Sequence, residues 1–176
     1  DNVAIGGWET LSSVTTQTGN IGIGSQAGRY ITNGPGNVFV GAQAGRGNSS
    51  GVAASNNVGI GNGAMYAING VANNNVGIGV YALRDALTTG DDNIAIGDSA
   101  GRNVSTASNL IFIGKEAGYA NSTGLRNIAI GYKAYDNADT ESDNIAIGYD
   151  ALGGSVAGGE KNIAIGNYTL DALTSS

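Results

Sequence analysis

The side chains of this chain that could take part in chemistry are tyrosines, arginines and scattered carboxylates, because the sequence contains no His and no Cys. An imidazole base, a thiolate nucleophile and the usual zinc ligand sets are therefore excluded. Carboxylates such as Asp91, Asp92 and Asp143 lie in polar connecting segments and form no Gly-Gly-x-Gly-x-Asp calcium array. We expect no catalytic residue, no metal site and no cofactor.

Two groups of side chains recur at fixed distances after a repeated glycine and are candidates for binding. The aromatic residues one or two positions after this glycine, which could stack on the sugar rings of a receptor, are Trp8, Tyr81, Tyr132, Tyr149 and Tyr168. Packing between successive repeats is the simpler explanation for them. Five positions after the glycine stand residues that could pack by cation–π contact, namely Arg29, Arg46, Tyr66, Arg84, Arg102 and Tyr119.

Charge is distributed unevenly along the chain, whose formal net charge is -6. Residues 10–84 contain three Arg and no acidic residue, whereas residues 85–176 contain twelve acidic and five basic residues. A solvated surface explains this asymmetry most simply, and two ends that meet different partners would also explain it. No basic patch with interleaved aromatics is dense enough for nucleic acid, and no run of ~18 apolar residues predicts membrane insertion.

A pentapeptide of the form Asn-Ile-Ala-Ile-Gly is repeated ten times along the sequence. Its closing glycines lie 17 to 20 residues apart. The copies are Asn2–Gly6, Asn20–Gly24, Asn37–Gly41, Asn57–Gly61, Asn75–Gly79, Asn93–Gly97, Leu110–Gly114, Asn127–Gly131, Asn144–Gly148 and Asn162–Gly166. Ile or Val alternates with another residue, which is the pattern of a strand. One copy cannot bury its apolar face alone, so the copies must stack.

The repeat predicts an all-β fold, a parallel β-solenoid of about ten 17–18-residue coils that occupies residues 1–176 as a single domain. Coils stacked ~4.8 Å apart would make a body of roughly 45–50 Å, and each coil has room for two short strands. The opening Asn residues could form an amide ladder between coils. Ala follows the closing glycine by three residues in eight of the ten copies.

The alternation within each strand predicts which side chains face inward. We expect the β-branched residues to fill each coil, with a structural core of Ile5, Ile23, Val40, Ile60, Ile78, Ile96, Ile113, Ile130, Ile147 and Ile165. The residue between the paired aliphatics is Ala or Gly in eight copies, which suits close approach of neighbouring chains. We expect a homotrimer with this column at its axis, where Phe39 and Phe112 would meet their counterparts. A monomer whose second sheet covers the column is the alternative.

The repeat resembles the head repeats of YadA-like trimeric autotransporter adhesins, and its longer form, as in Asn75–Asn93 and Gly166–Thr174, is even more similar to repeats of phage tail-fibre proteins. The resemblance implies a homotrimer of parallel β-rolls, located on a virion or outside the cell. Adhesin heads use a shorter repeat, which favours the phage version. Because the chain starts at Asp1 rather than Met, we expect it to be a segment of a longer fibre protein.

The sequence therefore favours a non-catalytic, structural and adhesive segment of a phage tail fibre that presents or binds host receptors, either glycans or proteins. The alternative is the head of a bacterial adhesin at the cell surface. An ice-binding solenoid needs a regular face of Thr, but the Thr here cluster irregularly. A left-handed β-helix acyltransferase needs hexapeptides throughout, yet Ile130–Tyr135 fits one and Asp136 stands where the next should open with an aliphatic residue.

Overall fold

Ten three-residue strands, one from each repeat, form a single parallel sheet in which every strand neighbours the strand of the next repeat. The computed structural model describes residues 1–14, 17–48, 51–85, 88–154 and 159–171. The strands are β1 (Val3–Ile5), β2 (Ile21–Ile23), β3 (Val38–Val40), β4 (Val58–Ile60), β5 (Val76–Ile78), β6 (Ile94–Ile96), β7 (Ile111–Ile113), β8 (Ile128–Ile130), β9 (Ile145–Ile147) and β10 (Ile163–Ile165). The predicted parallel β-solenoid is confirmed, and the described residues include no helix.

Register between the strands follows the sequence repeat without a slip. Ile111 lies opposite Ile128, for example, and Phe112 opposite Ala129. The closing glycine keeps this register because its backbone stacks directly on that of the next coil. Gly24 has a φ of +123°, and a Cβ at this position would lie only 2.7 Å from the carbonyl oxygen of Gly41. Residues with a side chain would force the coils apart at this point.

Each coil contributes one strand to the sheet, not the two for which there was room. The rest of the described backbone runs through turns, with an isolated parallel bridge between Ile31 and Val52. Residues after the closing glycine alternate into the left-handed region, as at Tyr81 (φ 59°) and Leu83 (φ 49°). That conformation prevents a second strand but still allows bonds between coils, such as the Leu83 N–H that donates to the carbonyl of Ala100.

The inward and outward faces of the strands are the reverse of the prediction. The ten aliphatic residues assigned to the core are all half-buried or exposed, and they are Ile5, Ile23, Val40, Ile60, Ile78, Ile96, Ile113, Ile130, Ile147 and Ile165. The middle residue of every strand from β2 to β10 is buried instead. Phe39 and Phe112 are fully buried within their own coils, so neither can line an axis between chains.

The narrow interior of the coil explains this reversal. The middle residues of the strands share the interior with the column of Ala that follows the closing glycine by three residues, in which Ala27 and Ala117 are examples with no exposed surface. Two facing columns of small side chains fill a thin coil, whereas two columns of Ile and Val would hold its walls too far apart for the short turns. The small residues therefore belong inside, and the larger aliphatics face outward.

Large and small side chains alternate inside the coils so that the interior volume stays nearly constant. Where the middle residue is Phe112, the residues four after the closing glycine in its own coil and the previous one are Gly118 and Gly101. A Cβ on Gly101 would lie 3.1 Å from the Phe112 ring, and a Cβ on Gly118 would overlap that ring. In the coils of β4, β5, β8 and β9, which have Gly or Ala in the middle of the strand and do not precede a coil with Phe, the same position carries a buried large residue, namely Met65, Leu83, Tyr135 or Leu152.

The opening Asn residues form the amide ladder that the sequence predicted. The Asn57 side-chain oxygen accepts the backbone N–H of Asn75 at 2.9 Å, and the Asn75 oxygen accepts that of Asn93 at 2.9 Å. The Asn75 amide nitrogen also donates to the carbonyl of Gly90 at 2.8 Å. Leu110 interrupts the ladder. The ladder satisfies buried backbone groups that no strand partner reaches.

Candidate interaction surfaces

The outward-facing aliphatic side chains form what we call the aliphatic stripe, which consists of the first and third residues of β1 to β10. Its side chains are most open at the two ends, where Ile5 is 57% and Ile165 is 66% exposed, but Ile96 and Ile113 in the middle are still 37% exposed. The stripe contains no polar side chain in any of its ten coils. Because the strands are in register, its side chains form two straight columns along the sheet.

An uncharged stripe of this length differs from the single apolar side chains found on most protein surfaces. Ten coils at a strand spacing of ~4.8 Å give a length of about 45 Å. Contiguous apolar patches on this scale mark surfaces that associate with other apolar surfaces. The β-branched side chains are stiff, so the stripe has a fixed shape and loses little entropy when it is covered.

Three of the five aromatic candidates lie side by side. The Tyr132 and Tyr149 rings stack at 5.3 Å between centroids, and Tyr168 meets Tyr149 edge-on at 5.0 Å. Trp8 lies apart from them in the first coil, where it is 69% exposed. Packing between coils accounts for the three-ring group, because the Tyr149 ring contacts the rings of both Tyr132 and Tyr168. Contact between any of the five aromatic residues and a receptor stays a prediction.

The fifth aromatic candidate, Tyr81, belongs to a second group, which we call the Arg–Tyr ladder. Its members alternate between cation and ring along the solenoid, with guanidinium carbon to ring centroid distances of 4.4 to 5.8 Å. In order, they are Trp8, Arg29, Tyr30, Arg46, Tyr66, Arg84, Tyr81, Arg102 and Tyr119. The predicted cation–π packing of Arg and Tyr is confirmed. Tyr30 was not among the predicted residues, because it follows the closing glycine by six residues, whereas most members of the ladder follow it by five.

Two carboxylates pair with three of the four Arg residues of the ladder. Arg29 pairs with Glu9 at 2.8 Å, and Asp85 accepts from Arg84 at 2.6 Å and from Arg102 at 2.9 Å. The bond to Asp85 raises the pKa of the Arg102 guanidinium, so this side chain stays charged at any ordinary pH. Arg46 instead donates to the hydroxyl of Tyr66 at 2.9 Å. Each guanidinium group of the ladder thus lies near two rings in addition to its polar bonds.

The ladder ends at Tyr119, and a groove of about 370 Å³ begins there. In the next coil, the ladder position is occupied by Asp136, which has a shorter side chain. We call this groove the notch, and its wall includes Arg102, Glu116, Tyr119, Lys133, Asp136 and Asn137. Burial and the charge of Asp150 raise the pKa of Asp136 from 3.8 to about 6.

Comparisons with models of known families, with curated proteins and with solved structures found no match.

The described residues contain neither a helix long and apolar enough to cross a bilayer nor a group of three or more potential metal ligands. The side chains of the aliphatic stripe were predicted to lie inside the coil, and the notch was not predicted from the sequence. One signal for the notch was present, since Asp136 breaks the column of Arg and Tyr after Tyr119. A break in an otherwise regular column of large side chains is the pattern that leaves space on a solenoid surface.

Proposed function

We propose that this chain is a non-catalytic structural segment of an extracellular fibre, of the phage tail-fibre kind, in which three copies run side by side with their aliphatic stripes against one another. The aliphatic stripe is the observation that carries this proposal. In a lone chain, twenty Ile and Val side chains would stay half-buried or exposed to water along the whole length of the rod. Covering them removes apolar surface from water, which is the main driving force for permanent association.

The regularity of the coils supports a fibre. Each coil contacts its neighbours through the same in-register strand pairing, so a rod of this kind can be extended without any change in cross-section. Resemblance to tail-fibre and adhesin repeats supports three copies, and the length of the repeat favours the tail fibre. In this arrangement, the stripe takes the place at the axis that the sequence had assigned to Phe39 and Phe112. The Arg–Tyr ladder would then be available to a host receptor.

Sedimentation equilibrium of the purified chain tests the assembly. We expect three times the mass of one chain, which is 17.5 kDa. The variant Ile96→Lys/Ile130→Lys places two charges in the middle of the stripe, and we expect it to sediment as a monomer. Desolvation of an unpaired ammonium at the interface is strongly unfavourable.

Val71→Lys is the matched control, because Val71 is 52% exposed but lies outside the stripe. This variant should keep the mass of the wild type. A wild-type chain that sediments as a monomer or a dimer would contradict the proposed trimer. So would a stripe variant that remains trimeric, since the interface would then have to lie elsewhere.

A further inference from the structure

The notch exists because the Arg–Tyr ladder stops abruptly. Arg102 covers one face of the Tyr119 ring at 5.7 Å, whereas no ring or cation among the described residues stacks on the other face. All other Tyr of the ladder lie between two cations; Tyr66, for example, lies between Arg46 and Arg84 at 5.2 and 5.3 Å. Tyr119 is therefore the one ladder Tyr that offers a ring face to a ligand.

Hydrogen-bonding groups of both kinds line the notch together with Tyr119. Asp136 supplies a carboxylate, and the Asn137 amide donates to it at 3.1 Å, which holds the two side chains together. Lys133 lies 3.8 Å from Glu116, is 40% exposed at its side chain and keeps N–H groups for other acceptors. The volume of the notch, about 370 Å³, is within the ~300–1,000 Å³ of small-ligand sites.

We infer that the notch binds a neutral hexose unit of a host surface polysaccharide, with the sugar ring on the free face of Tyr119 and its hydroxyls on Asp136, Asn137 and Lys133. This inference rests on the proposed receptor-binding fibre and assigns the site and the ligand class. Pyranose rings carry apolar C–H groups on their faces, which suit an aromatic ring, and a rim of hydroxyls that both donate and accept hydrogen bonds.

The balance of charges in the notch favours a neutral ligand. An acidic sugar would meet the carboxylates of Asp136 and Glu116, and an amine would meet Arg102 and Lys133. Each of these ligands would bring a like charge close to its own, which costs free energy in a partly desolvated site. Hydroxyl groups can satisfy both signs of charge at once. The group Tyr132, Tyr149 and Tyr168 lacks such an arrangement, because its rings pack on one another.

A titration of the full chain, monitored by saturation-transfer NMR, tests the inference. The ligands are glucose, galactose, mannose and N-acetylglucosamine, and the polysaccharides dextran, mannan and galactan. We expect at least one of these neutral sugars to bind. Tyr119→Leu should weaken that sugar about tenfold, because it removes the ring face. Asp136→Asn keeps the shape but replaces charged hydrogen bonds with neutral ones, and it should weaken binding by roughly fivefold.

Tyr66→Leu is the matched control, since this Tyr has a cation on both faces and should bind no sugar. Thermal unfolding of each variant shows that the solenoid is intact. The inference is overturned if no neutral sugar binds, if Tyr119→Leu binds as well as the wild type, or if alginate binds in preference to every neutral sugar. A trimer that binds none of the sugars would refute the notch and leave the proposed fibre standing, because sedimentation tests the fibre separately.

Discussion

At the scale of the residue, Asp136 is a side chain that opposes folding at neutral pH. Burial and Asp150 raise its pKa to about 6, Lys133 lowers it, and Glu116 adds a smaller increase. The folded state therefore holds a proton that the unfolded chain has released between about pH 4 and pH 6, so stability decreases as pH rises through this range and levels off above it. A cost of this kind is common where a charged group serves a binding site.

Asp136→Asn should therefore have a larger free energy of unfolding than the wild type at pH 7. The advantage should disappear near pH 4, where the aspartate is already protonated in the folded state. Urea unfolding at the two pH values measures the difference. Asp143→Asn is a control of opposite sign, because the bond to Arg126 lowers the pKa of Asp143. This second variant should lose stability at pH 7, and an Asp136→Asn variant that also loses stability there would refute the assignment.

The amide ladder leads to a second prediction for single residues. Asn75 is fully buried and serves both the backbone N–H of Asn93 and the carbonyl of Gly90. Asn75→Ala leaves both groups without partners and should lower the free energy of unfolding by about 2–4 kcal/mol. In the exposed first coil, Asn2 makes similar bonds to Asn20 and Gln17, where water can replace the amide.

Asn2→Ala is therefore the comparison and should cost less than about 1 kcal/mol. Denaturant unfolding of the two variants beside the wild type gives the difference. Equal losses at Asn75 and Asn2 would indicate that the ladder contributes through local turn geometry, not through the burial of its bonds.

At the scale of the element, the interior of each coil is thin, so a large buried side chain at one position leaves no room for a large side chain at the neighbouring one. Phe112→Ala empties the space between Gly101 and Gly118 and should cost about 3–5 kcal/mol. The added change Gly118→Leu should restore part of this loss, because Leu152 occupies the same position next to Ala146 with a φ of 53°. Without the Phe112 change, Gly118→Leu should prevent normal packing.

A double-mutant cycle from urea unfolding measures the coupling between the two positions. We expect the double variant to be more stable than either single variant. Losses that simply add would show that the alternation of large and small residues does not compensate for volume, since additivity is the behaviour of independent sites.

The same thin interior explains which features of the coil the sequence could predict. Strand positions and register followed from the Ile/Val alternation and from glycines at nearly constant spacing, and both were predicted. The prediction of which face lies inside was wrong, because both faces of a segment such as Ile128–Ile130 are apolar and alternation alone cannot say which one is buried. The thickness of the coil decides which face is buried. This thickness depends on turns such as Tyr81 to Leu83, in which residues other than glycine adopt left-handed conformations that their intrinsic preferences do not favour.

At the scale of the whole molecule, the sequence predicted a stack of coils but not its surfaces. The Arg–Tyr ladder draws rings from three different columns of the repeat, as Tyr30, Tyr66 and Tyr81 show. A single position of the repeat therefore contains only some of the residues of the Arg–Tyr ladder. The notch depends on what is missing from the ladder after Tyr119, and its depth follows from the three-dimensional stacking of neighbouring coils.

The interruption of the amide ladder at Leu110 removes one bond between the coils of β7 and β8, which bears on how the rod would carry tension. Tension along the axis passes through the coils in series, so the interface with the fewest cross-links sets the breaking force. The Leu110 N–H donates to the Asn93 side-chain oxygen, but Leu110 has no side-chain oxygen to accept the N–H of Asn127, and the Asn127 side-chain amide donates to Asn121 instead. Other bonds replace the missing one, because Arg126 donates to Asp143 at 2.6 and 2.9 Å and the Leu125 N–H donates to the Ser142 hydroxyl at 3.0 Å. A pulled solenoid should therefore not yield first between the coils of β7 and β8, although the amide ladder is broken there.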